Sequence, residues 1–189
     1  MVKFEDVKNV TTEEYFNGSE FQIRIFNDKY SNTKSDGTKE TPAECFYRVC
    51  STYAELEKTE EQKIYWRDKW FQLIYEKQML MPGGSIIASA GSDKKCSTAN
   101  CTHELIKEDS LESIFASLYN VAKEAAMRQG IGIHFDAVRP RGAKVDNAAN
   151  ASEGAVQWLR LFDSLADYIG QKGRRIAMLG SLSVKHPDV

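Results

Sequence analysis

The second half of the chain switches repeatedly between strand-length and helix-length patterns, and this alternation restricts the fold more than any other feature. CTHELI (101–106), GIGIHF (130–135) and IAMLGSLSV (176–184) are short, mostly apolar runs that read as strands. Helical patterns separate them. DSLESIFASLYNVAKEAAM (109–127) opens on Asp109 as N-cap with Glu112 at N3, and places Leu111, Ile114, Phe115, Leu118 and Val121 on one face. Ser152 to Ile169 repeats Val156, Leu159, Phe162 and Leu165, with Gly170 as its C′ residue. Strands alternating with crossover helices predict an α/β unit with a parallel sheet. Two or three parallel strands cannot bury both their faces. The pattern therefore predicts the opening part of something larger, with a complete small α+β domain as the alternative.

The first half has a different rhythm. QIRIFNDKY (22–30) alternates through Ile23 and Ile25 and reads as a short strand. Thr41-Pro42-Ala43-Glu44 is a helix start: a hydroxyl N-cap, proline at the first helical position and a glutamate closing a capping box. Phe46, Val49, Cys50, Tyr53 and Leu56 follow at helical spacing. Thr59-Glu60-Glu61-Gln62 is a second capping box, opening a helix with Trp66, Trp70, Phe71, Ile74 and Tyr75 on its apolar side, and Pro82-Gly83-Gly84 ends it. SIIASAG (85–91) is a short apolar segment. The expected organisation is a mainly helical region over 1–84, then α/β structure over 85–189.

Bulk properties exclude several classes. The net charge of −2 gives no argument for nucleic acid or an anionic membrane as partner. No apolar run approaches the roughly 18 residues that span a bilayer. The N-terminus, MVKFEDVKNVTTEEY, is too polar and acidic for a signal peptide. A cytoplasmic location follows as the expectation, with reduced cysteines.

The chain has four cysteines. Cys45 and Cys50 ride the helix after Thr41 and read as core residues. Cys96 and Cys101 are harder to assign. Cys96, Cys101 and His103 fall short of the four ligands of a structural zinc site, so no metal is expected. A buried inert thiol and a redox thiol remain open for Cys101. Two basic loops, VRPRGAK with Arg139, Arg141 and Lys144, and QKGRR with Lys172, Arg174 and Arg175, suit phosphate or nucleotide binding. They also suit plain solvated loops. GIG (130–132) lets a ligand approach the backbone, but it is not a dinucleotide fingerprint, since no helix follows it.

The order of the segments says more than any one of them. FNDKY, ETPAECFYRV, MPGGSIIASAG, STANC, EDSLESIF, RQGIGIHFDAVRPRGA and QKGRRIAMLGSLSVKHPDV run in sequence. In that order the chain resembles the N-terminal portion of the ribonucleotide reductase catalytic subunit, from about residue 22 onward. The resemblance implies the first strands and helices of a ten-stranded α/β barrel, incomplete in this chain. It implies reduction of ribonucleoside di- or triphosphates to 2′-deoxyribonucleotides by thiyl-radical chemistry, with a cysteine pair as reductant.

The resemblance also implies roles for residues. Cys101, in the TANC position, corresponds to one member of the redox pair, its partner lying on a later strand. Asn100 and Cys101 line the substrate ribose, Gly130 brings backbone close to it, and Gly84 and Ser85 lie where the family contacts substrate phosphate. Asp109, Ser110 and Leu111 start the effector-site helix, Arg139 pairs with effector phosphate, and Gln171 and Arg175 read effector and substrate bases. Ile176 departs from the glycine usual at its position, and the loop before it is about one residue short. The resemblance leaves no room for the N-terminal ATP-binding cone of many family members, so overall control by ATP and dATP is expected to be absent.

The MPGG, VRPRGA and HPDV spellings resemble the adenosylcobalamin-dependent class more than the class served by a di-iron or di-manganese radical subunit. Implied partners are a dNTP or ATP effector, a thioredoxin-type or dithiol reductant, a second chain or further segment completing the barrel, and a second copy in a homodimer. A stand-alone nucleotide-binding regulatory module and an inactive remnant are the competing expectations.

Overall fold

The computed structural model describes residues 2–146, 149–169 and 176–189. The chain forms two compact units, residues 1–98 and 99–189.

The first unit is helical. Its elements are α1 (Phe4–Val7), α2 (Thr12–Tyr15), α3 (Glu20–Lys29), α4 (Pro42–Ala54), α5 (Glu60–Phe71), continued by a π-helical turn (Gln72–Glu76), and α6 (Gly84–Ser89). The expected strand over 22–30 is a helix. Ile23, Phe26, Asn27 and Tyr30 recur at i, i+3, i+4 and i+7, and Phe26 is buried against the ring of Phe16. That periodicity overrides the brief Ile23/Ile25 alternation.

The start of α4 matches its sequence. Glu44 N–H donates to Thr41 Oγ1, and Glu44 Oε2 accepts from Thr41 N–H at 2.8 Å. The Thr59 box is half formed: its hydroxyl accepts from Gln62 N–H. The core gathers Phe26, Phe46, Phe71, Ile74 and Ile87 around Cys45 and Cys50. Burial pushes the Cys50 thiol up to about 12, so the inert role expected of this cysteine holds. Arg48 ties the unit together, pairing with Glu40 through two hydrogen bonds and donating to the carbonyls of Ile87 in α6 and Ala90 at its C-terminal end.

The second unit is built on β1 (Cys101–Leu105), α7 (Leu111–Ala126), β2 (Gly130–His134), α8 (Ala155–Tyr168) and β3 (Met178–Ser181). The three strands are parallel in the order β1-β2-β3, with Cys101 opposite Gly130 and Ile131 opposite Met178. Ile114, Val121 and Ala125 of α7 share a core with Ile131, Ile133, Phe135 and Phe162, the last two meeting edge to face. Gly180 lets α8 sit down on β3, since a β-carbon there would fall 2.6 Å from Leu159 Cδ1.

Several boundary and burial expectations change. The N-cap of α7 is Ser110, whose hydroxyl accepts from Ser113 N–H, and not Asp109. The Asp109 carboxylate turns to Arg139 instead. Leu111 and Phe115 on α7, and Val156 and Leu159 on α8, are substantially exposed rather than core. Helix α8 starts at Ala155, after Gly154 in a conformation only glycine adopts freely (φ 85°). Gly170, expected to end it, lies outside the described residues. No helix among the described residues is long and apolar enough to cross a membrane.

Candidate functional site

The expected site residues fall into three groups. Asn100, Cys101 and Gly130 meet at the N-terminal end of the sheet. Asn100 C=O accepts from Gly130 N–H at 2.8 Å, and Ile131 N–H donates to the next strand through Ala177 C=O. Cys101 is exposed. Its Sγ lies 3.5 Å from where a β-carbon on Gly130 would stand. The bare glycine therefore sets the thiol directly beside peptide backbone. The geometry suits a nucleophilic or redox-active sulfur that a polar substrate can reach.

The second group surrounds a cleft of about 850 Å³ between the start of α7, the loop after β2 and the face of α8. Asp109, Ser110, Leu111 and Arg139 all line it. Arg139 Nε is 2.5 Å from Asp109 Oδ2, and Nη1 donates to Lys144 C=O at 2.7 Å. The guanidinium is thus aimed by two partners. The cleft is amphipathic, with Trp158 and Leu161 against Glu112, Asp146 and Glu153. Among its described lining residues, Arg139 is the cation.

Asp188 closes the neck of the loop. Its carboxylate accepts from Arg141 N–H at 3.0 Å and from Ala155 N–H at 2.9 Å, across both stems. Those two backbone donors hold the carboxyl below its ordinary value. His186 adds a second tie, with Nε2 2.7 Å from Val138 C=O. This staple from the HPDV segment was not read from the sequence.

Gly84 and Ser85, the third group, open α6 in the first unit, where Ser85 is fully buried. Gln171 and Arg175 lie outside the described residues, as do Lys172 and Arg174. Among the described residues no cluster of three metal-ligating side chains occurs. The first unit has two further clefts, of about 550 and 220 Å³, lined mainly by aromatic and aliphatic side chains.

On the helix-covered face of β1, burial raises the Glu124 carboxyl, aided by the charge of Glu104 and opposed by a hydrogen bond from Thr102.

Comparison with known proteins gives a consistent family. The sequence model described as ribonucleotide reductase, all-alpha domain, matches residues 16–95, and that of the ribonucleotide reductase barrel domain matches residues 97–189. A vitamin B12-dependent ribonucleoside-diphosphate reductase of Mycobacterium tuberculosis is 34% identical over 125 residues, covering 66% of this chain and 18% of the relative. The ribonucleoside-diphosphate reductase subunit alpha of Synechocystis sp. is 27% identical over 154 residues, covering 79% of this chain and 19% of the relative. Among solved structures, the class Id ribonucleotide reductase alpha subunit of Actinobacillus ureae shares the fold with a TM-score of 0.64 at 23% identity, covering 87% of this chain and 28% of that one. The chain spans less than a fifth of the length of the two sequence relatives named.

Proposed function

The chain belongs to the ribonucleotide reductase family, and from that premise we propose that it supplies the first part of a catalytic barrel, with Cys101 as one of the two reducing thiols. The observation that carries the reading is the exposed residue Cys101, with its sulfur beside the bare backbone of Gly130. In each turnover the substrate's 2′-hydroxyl leaves as water. Cys101 and a second cysteine outside residues 1–189 give up two electrons and two protons, and a disulfide forms. A dithiol or thioredoxin-type reductant then restores both thiols by exchange. Asn100 and Gly130 border the ribose.

The cleft at α7 is the effector site in this reading. A deoxynucleotide or ATP enters between Leu111 and Trp158, Asp109 and Ser110 meet its sugar, and Arg139 faces its phosphates. Gln171 and Arg175 carry base identity toward the substrate. A second copy of the chain docks on the exposed stripe of Leu111, Phe115 and Tyr119 along α7.

Adenosylcobalamin, which the relatives named vitamin B12-dependent use, supplies the radical when bound. None of the three clefts described above is lined by Cys101, so none of this chain's residues is assigned to holding the cofactor. A di-iron or di-manganese radical subunit is the alternative source.

The test is a reductase assay on the chain combined with the polypeptide that completes the barrel, with adenosylcobalamin, with a metal-radical subunit, and with neither. Deoxynucleotide is expected with cobalamin. Cys101→Ser is expected to stop multiple turnover on a dithiol reductant, and undiminished turnover in that variant would remove the redox role. Effector binding without product under any condition would instead favour a nucleotide-binding regulatory module. Failure of both points to an inactive remnant.

A further inference from the structure

The sheet face that carries Cys101 holds more than a thiol. Strand alternation places Cys101, His103 and Leu105 of β1 on one face, with Gly130, Gly132 and His134 of β2 and Leu179 and Ser181 of β3. The opposite face takes α7, since Thr102 reaches Glu124 and Ile131 and Ile133 are buried with Ile114 and Val121. Gly130 and Gly132 have no side chains, so the side chains of β1 lean across them. Cys101 Sγ lies over the first glycine. His103 lies over the second, its Cδ2 3.7 Å from where a β-carbon would stand. The His103 ring then meets that of His134 at 4.8 Å between centroids, inclined by 63°. His134 Nδ1 is 2.6 Å from Ser181 Oγ. Thiol, imidazole, imidazole and hydroxyl form one line across three strands.

The line has few competitors for protons. Among the described residues, the three strands place no carboxylate, lysine or arginine on this face. Asp136, just beyond β2, is engaged by Ser183 N–H at 2.6 Å. Successive positions on one strand face are about 6.7 Å apart. A charge at that distance acts on a thiol, and one water can bridge the two groups.

We infer that the His103–His134 pair, with Ser181 fixing the His134 ring, is a proton store for Cys101. When thiolate is needed, the S–H bond breaks heterolytically, the sulfur keeps the electron pair, and the proton passes to imidazole nitrogen. When the thiol is restored, the proton returns. No oxidation state changes in this step. The assignment gives Cys101 a base on its own strand and makes His103 and His134 proton-transfer residues. It rests on Cys101 being the working thiol, and it deepens that reading.

The test needs no turnover. Alkylation of Cys101 by iodoacetamide is followed by fragment-ion sequencing of the peptides, which separates it from Cys45, Cys50 and also from Cys96, with which it shares the tryptic peptide 96–107. Rates are taken from about pH 5.5 to about pH 9.5, spanning the ordinary imidazole and thiol ranges. The native chain is expected to show two inflections, the lower in the imidazole range, as coupled groups do. His103→Gln should remove the lower inflection and slow alkylation at neutral pH by about threefold or more. His134→Gln should give a smaller change of the same sign. Circular dichroism confirms folding of each variant. Superimposable profiles for the native chain and both variants would overturn the proton store. Superimposable profiles with turnover lost in Cys101→Ser would remove the store and keep the redox thiol. Altered profiles with turnover intact in Cys101→Ser would keep the store and remove the redox role.

Discussion

Arg48 shows how much one side chain can hold. Its side chain is 14% exposed and that of its partner Glu40 11%, so neither charge is well solvated. Burial alone would raise the Glu40 carboxyl, but hydrogen bonds from Arg48 and from Asn32 N–H outweigh it and hold the carboxyl below its ordinary value. A lowered carboxyl stabilises the fold above its unfolded value of about 4.3, and that contribution fades as the pH falls through the folded value. Arg48→Met is therefore expected to lower the unfolding free energy by about 3 kcal/mol at neutral pH, because it strands a buried carboxylate. The gap from the native chain should narrow in acid. Urea unfolding at neutral pH and near pH 4 checks both; a pH-independent gap would mean that packing of the side chain, not charge, carries the effect. The pair was not readable beforehand, because Glu40 sits in what reads as a polar loop and Arg48 on a helix defined by its apolar face. Local chemistry was readable: Thr41, Pro42 and Glu44 announce their helix within four positions, and Cys45 and Cys50 follow on its buried side.

At the scale of elements, the three strands and two crossover helices of the second unit were legible because their periodicities differ and glycine or polar turns separate them. The strand expected over 22–30 was not, since two isoleucines fit period two while the wider set from Ile23 to Tyr30 fits period 3.6. The N-cap of α7 moved from Asp109 to Ser110 for a reason thirty residues away, the Arg139 guanidinium. Helix α8 has an equally non-local start. A β-carbon on Gly154 would lie 2.5 Å from Asp188 Oδ2 and 2.8 Å from Arg141 N, at a backbone angle that side chains disfavour. Gly154→Ala is expected to destabilise the second unit by about 2–3 kcal/mol through strain and loss of the Asp188 staple. Thermal unfolding measures it, and an unchanged midpoint would show that the neck can relax at no cost.

At the scale of the whole molecule, the family was legible from the order of its segments, whereas the contacts around Cys101 were not. The Cys101–Gly130 contact and the His103–His134 pair depend on strand register, which no spacing along the sequence reports. Leu111 and Phe115 on α7 were expected to be core because their helical spacing is right; with Tyr119 they form a stripe that is 53%, 51% and 64% exposed. An apolar row of that kind stays soluble most readily when covered. Sedimentation should show concentration-dependent association that Tyr119→Asp abolishes, and a monomer at all concentrations for the native chain would leave the stripe without a partner. Finally, the staple has a consequence in time. Asp188 joins Arg141 and Ala155 across 47 and 33 residues. During synthesis from the N-terminus, the β1–α7–β2 core is available for folding long before Asp188 is added. The loop that shapes the cleft is thus fastened only after the strands beneath it have been synthesised, so the cleft is the last part of the second unit to be completed.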